Sequence, residues 1–187
     1  MDFFSKQKEG MKMKIRSMVQ IALMAAVLCV LSPFSIPLSL VPISLGTLGV
    51  YLAALLLGWK KGTVSVLLYL LLGCIGLPVF AGGAAGLQVA VGPTGGYMLG
   101  YVAIALIAGL FAEKFEGKLL FYILGMALGT LACYLLGSLW LAYCNSLSFG
   151  AALAGGMVPF LPGDAVKIAV SSGIGYPLRK HLKKAGI

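Results

Sequence analysis

Long apolar runs, closed by short polar or Gly/Pro-rich interruptions, organise the chain. Charged interruptions fall at Trp59-Lys60-Lys61-Gly62 and at Glu113-Lys114-Phe115-Glu116-Gly117-Lys118. Interruptions rich in Pro and Gly fall at Ser32–Pro42, Val79–Thr94 and Cys144–Gly163. Cutting there predicts six helices: Ser17–Leu31, Ile43–Gly58, Thr63–Leu77, Gly95–Ala112, Leu119–Tyr143 and Asp164–Leu178. Several are shorter than the ~20 residues that cross a bilayer, so they are expected to tilt little or to lean on neighbours.

Composition turns this pattern into a membrane assignment. Of 187 residues, 60% are apolar, 10% are charged and 26 are Gly. A soluble domain carries about 25% charged residues and about 7% Gly. So few polar side chains cannot cover a water-facing surface, and the apolar excess also excludes disorder. The glycines lack a three-residue period, which excludes collagen. The expectation is an all-α polytopic membrane protein, one domain over residues 1–187 with six transmembrane helices. A basic segment (1–16) precedes the helices and a basic tail (179–187) follows them.

The net charge of +9 is distributed to one side. With six spans, 13 of the 14 basic residues fall beside the two termini: Lys6, Lys8, Lys12, Lys14, Arg16, Lys60, Lys61, Lys114, Lys118, Arg179, Lys180, Lys183 and Lys184. Only Lys167 falls opposite. The positive-inside rule then makes both termini cytoplasmic in a cell membrane. Scattered over four membrane-flanking sites, these residues form no nucleic-acid surface, and their attraction is to anionic headgroups of the lipid bilayer. Helix 1 is expected to be retained, because no small-residue cleavage site follows Leu31.

Little in the sequence supports enzymatic chemistry. Cys29, Cys74, Cys133 and Cys144 are dispersed, without a C-x-x-C pair, and read as small apolar residues. The lone His181 stands among tail lysines, away from any metal or nucleophile partner in the membrane. There is no P-loop, so ATP hydrolysis would have to come from another chain. The chain is expected to be no enzyme and to hold neither metal nor cofactor.

The three segments opposite the termini are apolar yet full of Pro and Gly. Irregular backbone at membrane depth is tolerated only where it is buried or lines a cavity, so they are expected to fold over the helix ends around a ligand site. Into this region falls Pro162-Gly163-Asp164-Ala165-Val166-Lys167. Pro162 and Gly163 mark a break, Asp164 is the N-cap or a first-turn residue of helix 6, and Lys167 shares its face. A charge in a span costs about 2.5–3.5 kcal/mol or more, so such groups face inward and pair. The pair is then either a structural ion pair or a polar ligand site, and one arrangement can be both. In Gly92-Pro93-Thr94-Gly95-Gly96-Tyr97-Met98-Leu99-Gly100-Tyr101, Thr94 is a candidate cap and Gly96/Gly100 a close-packing G-x-x-x-G face. Tyr97 and Tyr101 would sit in an aromatic belt whether or not a ligand is present. Ala22 and Ala26 form a small-xxx-small face on helix 1.

Three stretches together resemble the BioY family, the biotin-specific substrate-binding components of energy-coupling factor transporters. They are Leu77–Gly83 with Val91–Tyr101, Pro159–Lys167, and, in outline, Val41–Gly49. The resemblance implies six helices and a site for biotin as transported substrate, roofed by the loop between helices 1 and 2. It also implies partners: a transmembrane coupling subunit and two ATPases, with Ala22 and Ala26 as the docking face. Asp164 and Lys167 match the family's acid and base; the ureido N–H groups suit Asp164 and the valerate carboxylate suits Lys167, with the assignment of contacts left open. Gly83, Thr94, Tyr97 and Thr47 are carried over from the motifs. Gln88, the one side-chain amide in its loop, is a further candidate. Where many relatives have Gln before the helix 2 Thr, this chain has Gly46. The alternatives are a component for another vitamin, thiamine or riboflavin, and a channel or packing subunit without a ligand.

Overall fold

The computed structural model describes residues 3–37 and 41–184. Residues 1–2, 38–40 and 185–187, parts of the expected basic N-terminal segment, first loop and basic tail, lie outside the described residues. The helices are α1 (Phe3–Leu31), α2 (Gly46–Cys74), α3 (Leu87–Val91), α4 (Gly95–Lys114), α5 (Leu119–Asn145), α6 (Phe149–Gly156) and α7 (Leu161–Lys184), with 3-10 turns at Ala81–Gly83 and Val158–Phe160. Among the described residues, five helical stretches are long and apolar enough to cross a membrane.

The long α2 contains two of the expected helices. Gly58 breaks it with φ +77°, a conformation that side chains resist, and the chain doubles back. A Cβ on Gly62 would lie only 2.9 Å from the Ala53 carbonyl oxygen, so the halves run against each other. The carboxylate of Glu113 fills the space beside Gly58 and accepts the Trp59 N–H at 3.2 Å, satisfying a donor at the start of the second half. The reversal is therefore a single glycine. The turn expected over Trp59–Gly62 is helical because Lys60 and Lys61 already belong to the returning segment.

Large apolar side chains point outward along every long helix, including Leu23, Leu71, Leu99, Leu135 and Val170. Inside lie small residues and tyrosines such as Tyr51, Tyr69 and Tyr122. Lipid tails are as apolar as leucine, so such helices associate by close packing rather than by hiding leucine. The α4–α5 contact shows this. Gly96 lies against Trp140, Gly100 against Cys133, and a Cβ on Gly129 would fall 2.9 Å from the Ile104 Cα. The expected G-x-x-x-G face is thus in use, along with facing glycines on α5.

The connecting segments at one end carry structure of their own. Two short antiparallel strands, β1 (Ser35–Ile36) and β2 (Ile43–Ser44), pair Ser35 with Ser44 and Ile36 with Ile43. The Gly82 N–H donates to the Pro33 carbonyl at 3.1 Å and ties this hairpin to the loop after α2. α6 is capped by Ser148, whose hydroxyl accepts the Ala151 N–H at 3.3 Å. α7 begins at Leu161, three residues before the expected start, with Pro162 and Gly163 inside its first turn. A proline there removes no helical hydrogen bond, so it begins this helix rather than preceding it. Asp164 accordingly stands in the first turn and is not the N-cap.

Candidate functional site

A polar cluster lies where the start of α7 meets the start of α2 and the middle of α5. α7 packs on the first half of α2, where a Cβ on Gly175 would fall 2.8 Å from Leu55. This docking brings Thr47, in the first turn of α2, against Asp164 and Lys167. The Lys167 ammonium lies 2.9 Å from Asp164 Oδ1 and also donates to Thr47 Oγ1 at 2.9 Å. The Thr47 hydroxyl donates to Asp164 Oδ1 at 3.1 Å, and the Tyr134 hydroxyl donates to Oδ2 at 2.6 Å. Asp164 is 4% exposed and Lys167 8%, so both charges have left water and depend on this network.

The network is nearly but not wholly satisfied. An ammonium has three donors, of which the contacts above use two. A carboxylate offers about four acceptor directions, of which three are used. Among the described residues, that leaves one Lys167 donor and one Asp164 Oδ2 acceptor direction without a partner. Asp164 and Lys167 line a cavity of about 40 Å³ whose wall also includes Thr130, Cys133 and Phe160. A second cavity of about 200 Å³ adjoins it and shares Val41, Pro42, Ser44, Tyr97 and Tyr101. The second is apolar at its far side, walled by Tyr69, Phe80, Val89 and Met98. Ser44 and Tyr101 touch at 3.4 Å along the shared wall. The cleft is therefore amphipathic, with a charged floor and an aromatic upper chamber.

Of the residues singled out from sequence, Asp164, Lys167 and Thr47 meet at the floor, and Tyr97 lines both chambers with its hydroxyl donating to the Gly156 carbonyl at 3.0 Å. Thr94 lines the upper chamber; it precedes α4 but does not cap it, because its hydroxyl donates to the Val89 carbonyl at 3.3 Å. Gln88 and Gly83 are exposed and line neither chamber. The Gln88 side chain folds back over Gly86, and Gly83 faces open space. Gly46 is closely surrounded: a Cβ there would lie 2.8 Å from Ser32 Oγ and 3.0 Å from Tyr101 Oη. Ala22 and Ala26 are exposed on α1, away from the cleft, while Ala25 and Leu28 turn inward. Tyr134, Ser44 and Thr130 were not anticipated. Tyr101 was expected in an interfacial belt, yet it lines both chambers.

An all-helical membrane bundle with an amphipathic cleft at one end is the class that fold and site define. The sequence profile described as the BioY family matches residues 5–184, and the chain belongs to that family. Among its relatives, "Biotin transporter BioY2" of Lactococcus lactis subsp. cremoris is 36% identical over 169 residues, covering 90% of this chain and 93% of that protein. "Biotin transporter BioY" of Thermotoga maritima is 40% identical over 167 residues, 89% of this chain and 97% of that one. A solved structure titled as the S-component for biotin from an ECF-type ABC transporter superposes with a TM-score of 0.82 at 30% identity, covering 90% and 93% of the two chains.

Proposed function

We propose that this chain is the biotin-capturing S component of an energy-coupling factor uptake transporter. The observation that carries the reading is the buried Lys167–Asp164 pair, with one donor and one acceptor to spare, in the wall of an amphipathic cleft. A cyclic urea presents the complementary pair: a carbonyl oxygen for Lys167 and an adjacent N–H for Asp164. A carboxylate in that place would meet Lys167 but also the like charge of Asp164. The ureido ring therefore points to the floor, the fused ring lies among Tyr97, Tyr101 and Phe80, and the valerate carboxylate points out of the cleft. Family membership and relatives named for biotin favour this ligand over thiamine or riboflavin.

The doubling back at Gly58 gives six passes, with the starts of α1 and the end of α7 on the side of the basic clusters. We place that side in the cytoplasm and the cleft opposite. The exposed Ala22/Ala26 face of α1 is the docking surface for a transmembrane coupling subunit, through which two partner ATPases drive release. The chain itself works by binding and orienting, with ATP used only by those partners.

The ligand orientation is tested by competition binding on purified protein. Biotin methyl ester should retain most of the affinity of biotin, whereas methylation of a ureido nitrogen should abolish it. The opposite ranking would reverse the assignment of the two ends.

A further inference from the structure

At the end of the bundle opposite the cleft, Arg179 does not behave as part of a solvated tail. It is 6% exposed. Its guanidinium donates to the Leu55 carbonyl and lies 6.0 Å above the Tyr122 ring. Among the described residues its buried Nε finds no hydrogen-bond partner, and Glu116 Oε1 stands 3.9 Å away. A cavity of about 390 Å³ opens here between α5 and α7, walled by Glu116, Tyr122, Tyr176, Arg179, Lys180 and Lys184. Three cations face one carboxylate, and Lys180 and Lys184 are exposed. The wall thus carries net positive charge around a buried, under-bonded guanidinium, the donor geometry that suits phosphate.

The same two helices enclose a second cavity further along, about 320 Å³ and with an almost wholly apolar surface, flanked by Ala127, Leu131, Met157 and Ile168 and reaching Thr130, Tyr134 and Asp164 of the cleft at its far end. At about 1.5 Å per residue, Ile168 is about 18 Å along α7 from Lys180. That is a little more than half of the ~30 Å hydrocarbon core, the reach of an acyl chain in one leaflet. A free phosphate would use only the charged end of this seam; a phospholipid uses both. We infer that the α5–α7 seam seats one anionic phospholipid, its phosphate against Arg179, Lys180 and Lys184 and one acyl chain lying toward Ile168.

Native mass spectrometry of the detergent-solubilised chain tests this with phosphatidylglycerol, phosphatidylcholine and inorganic phosphate as probes. One phosphatidylglycerol should be retained in preference to phosphatidylcholine and should survive an excess of inorganic phosphate. The exposed pair Lys180→Ala/Lys184→Ala should weaken retention about 30-fold, taking each lysine's attraction to an anionic headgroup at its usual strength. Leu131→Trp, which fills the apolar cavity, should weaken it as well. Equal retention of the two lipids, or retention undiminished in the double variant, would overturn the inference. Displacement by inorganic phosphate with Leu131→Trp without effect would also overturn it, and would mark a free-phosphate site instead. Unchanged thermal unfolding of each variant shows that a loss of lipid is not a loss of fold.

Discussion

Asp164 is held by three donors from three helices, and the site is only as well aimed as those donors make it. Truncating one member of a buried charged pair costs about 2–5 kcal/mol, because the survivor is left unpaired in low dielectric. Asp164→Asn and Lys167→Ala should therefore each weaken biotin binding by about 30-fold or more, read by titration calorimetry. Tyr134→Phe removes one hydrogen bond to a charged group and should lower stability by about 1.5–3 kcal/mol in thermal unfolding, with weaker biotin binding because Oδ2 loses its anchor. Asp164 and Lys167 were legible in the sequence because, in the expected six-span arrangement, they alone stand charged opposite the basic clusters. Tyr134 was not: a tyrosine inside a Leu-rich run looks like any core aromatic until the helix carrying its partner is placed. Gln88 was singled out for its chemistry alone, and the backbone at Gly86 and Leu87 turns it outward.

At the scale of elements, glycine decides how the helices meet. Gly58→Ala would force an alanine into a conformation nearly reserved for glycine, at about 1–3 kcal/mol, and would also displace Glu113. Thermal unfolding in detergent should show that loss. Biotin affinity should change less, since Gly58 lies at the far end of the first half of α2 from Thr47. The helices were readable from charge and Gly/Pro interruptions, and the expected end of the second at Gly58 is where the chain breaks. The third begins a few residues earlier than expected, and α1 begins at Phe3, inside the basic segment expected to precede it. The β1–β2 hairpin, α3 and α6 were not readable. Each is short, carries no clear periodicity, and is fixed by contacts to other loops, such as Gly82 to Pro33. The early start of α7 was missed because Pro162-Gly163 reads as a break, although proline is equally at home in a first turn.

On the scale of the whole molecule, the proposed orientation rests on the charge asymmetry and the proposed function on the cleft. Tags at the two termini should both be shielded from the outside in intact cells and reachable only after permeabilisation; a tag accessible from outside would refute the six-pass arrangement. The membrane class followed from composition, because 10% charge cannot clothe a soluble surface. The amphipathic shape of the cleft did not, since its floor joins α2, α5 and α7 and its upper chamber joins segments more than forty residues apart. The central claim is that this cleft takes a cyclic urea on an apolar body, namely biotin. Calorimetric titration of ligand-stripped, detergent-purified protein with biotin, thiamine and riboflavin tests it directly. The account predicts saturable one-to-one binding of biotin and no competing heat from the other two. A flat biotin trace from folded protein would contradict it.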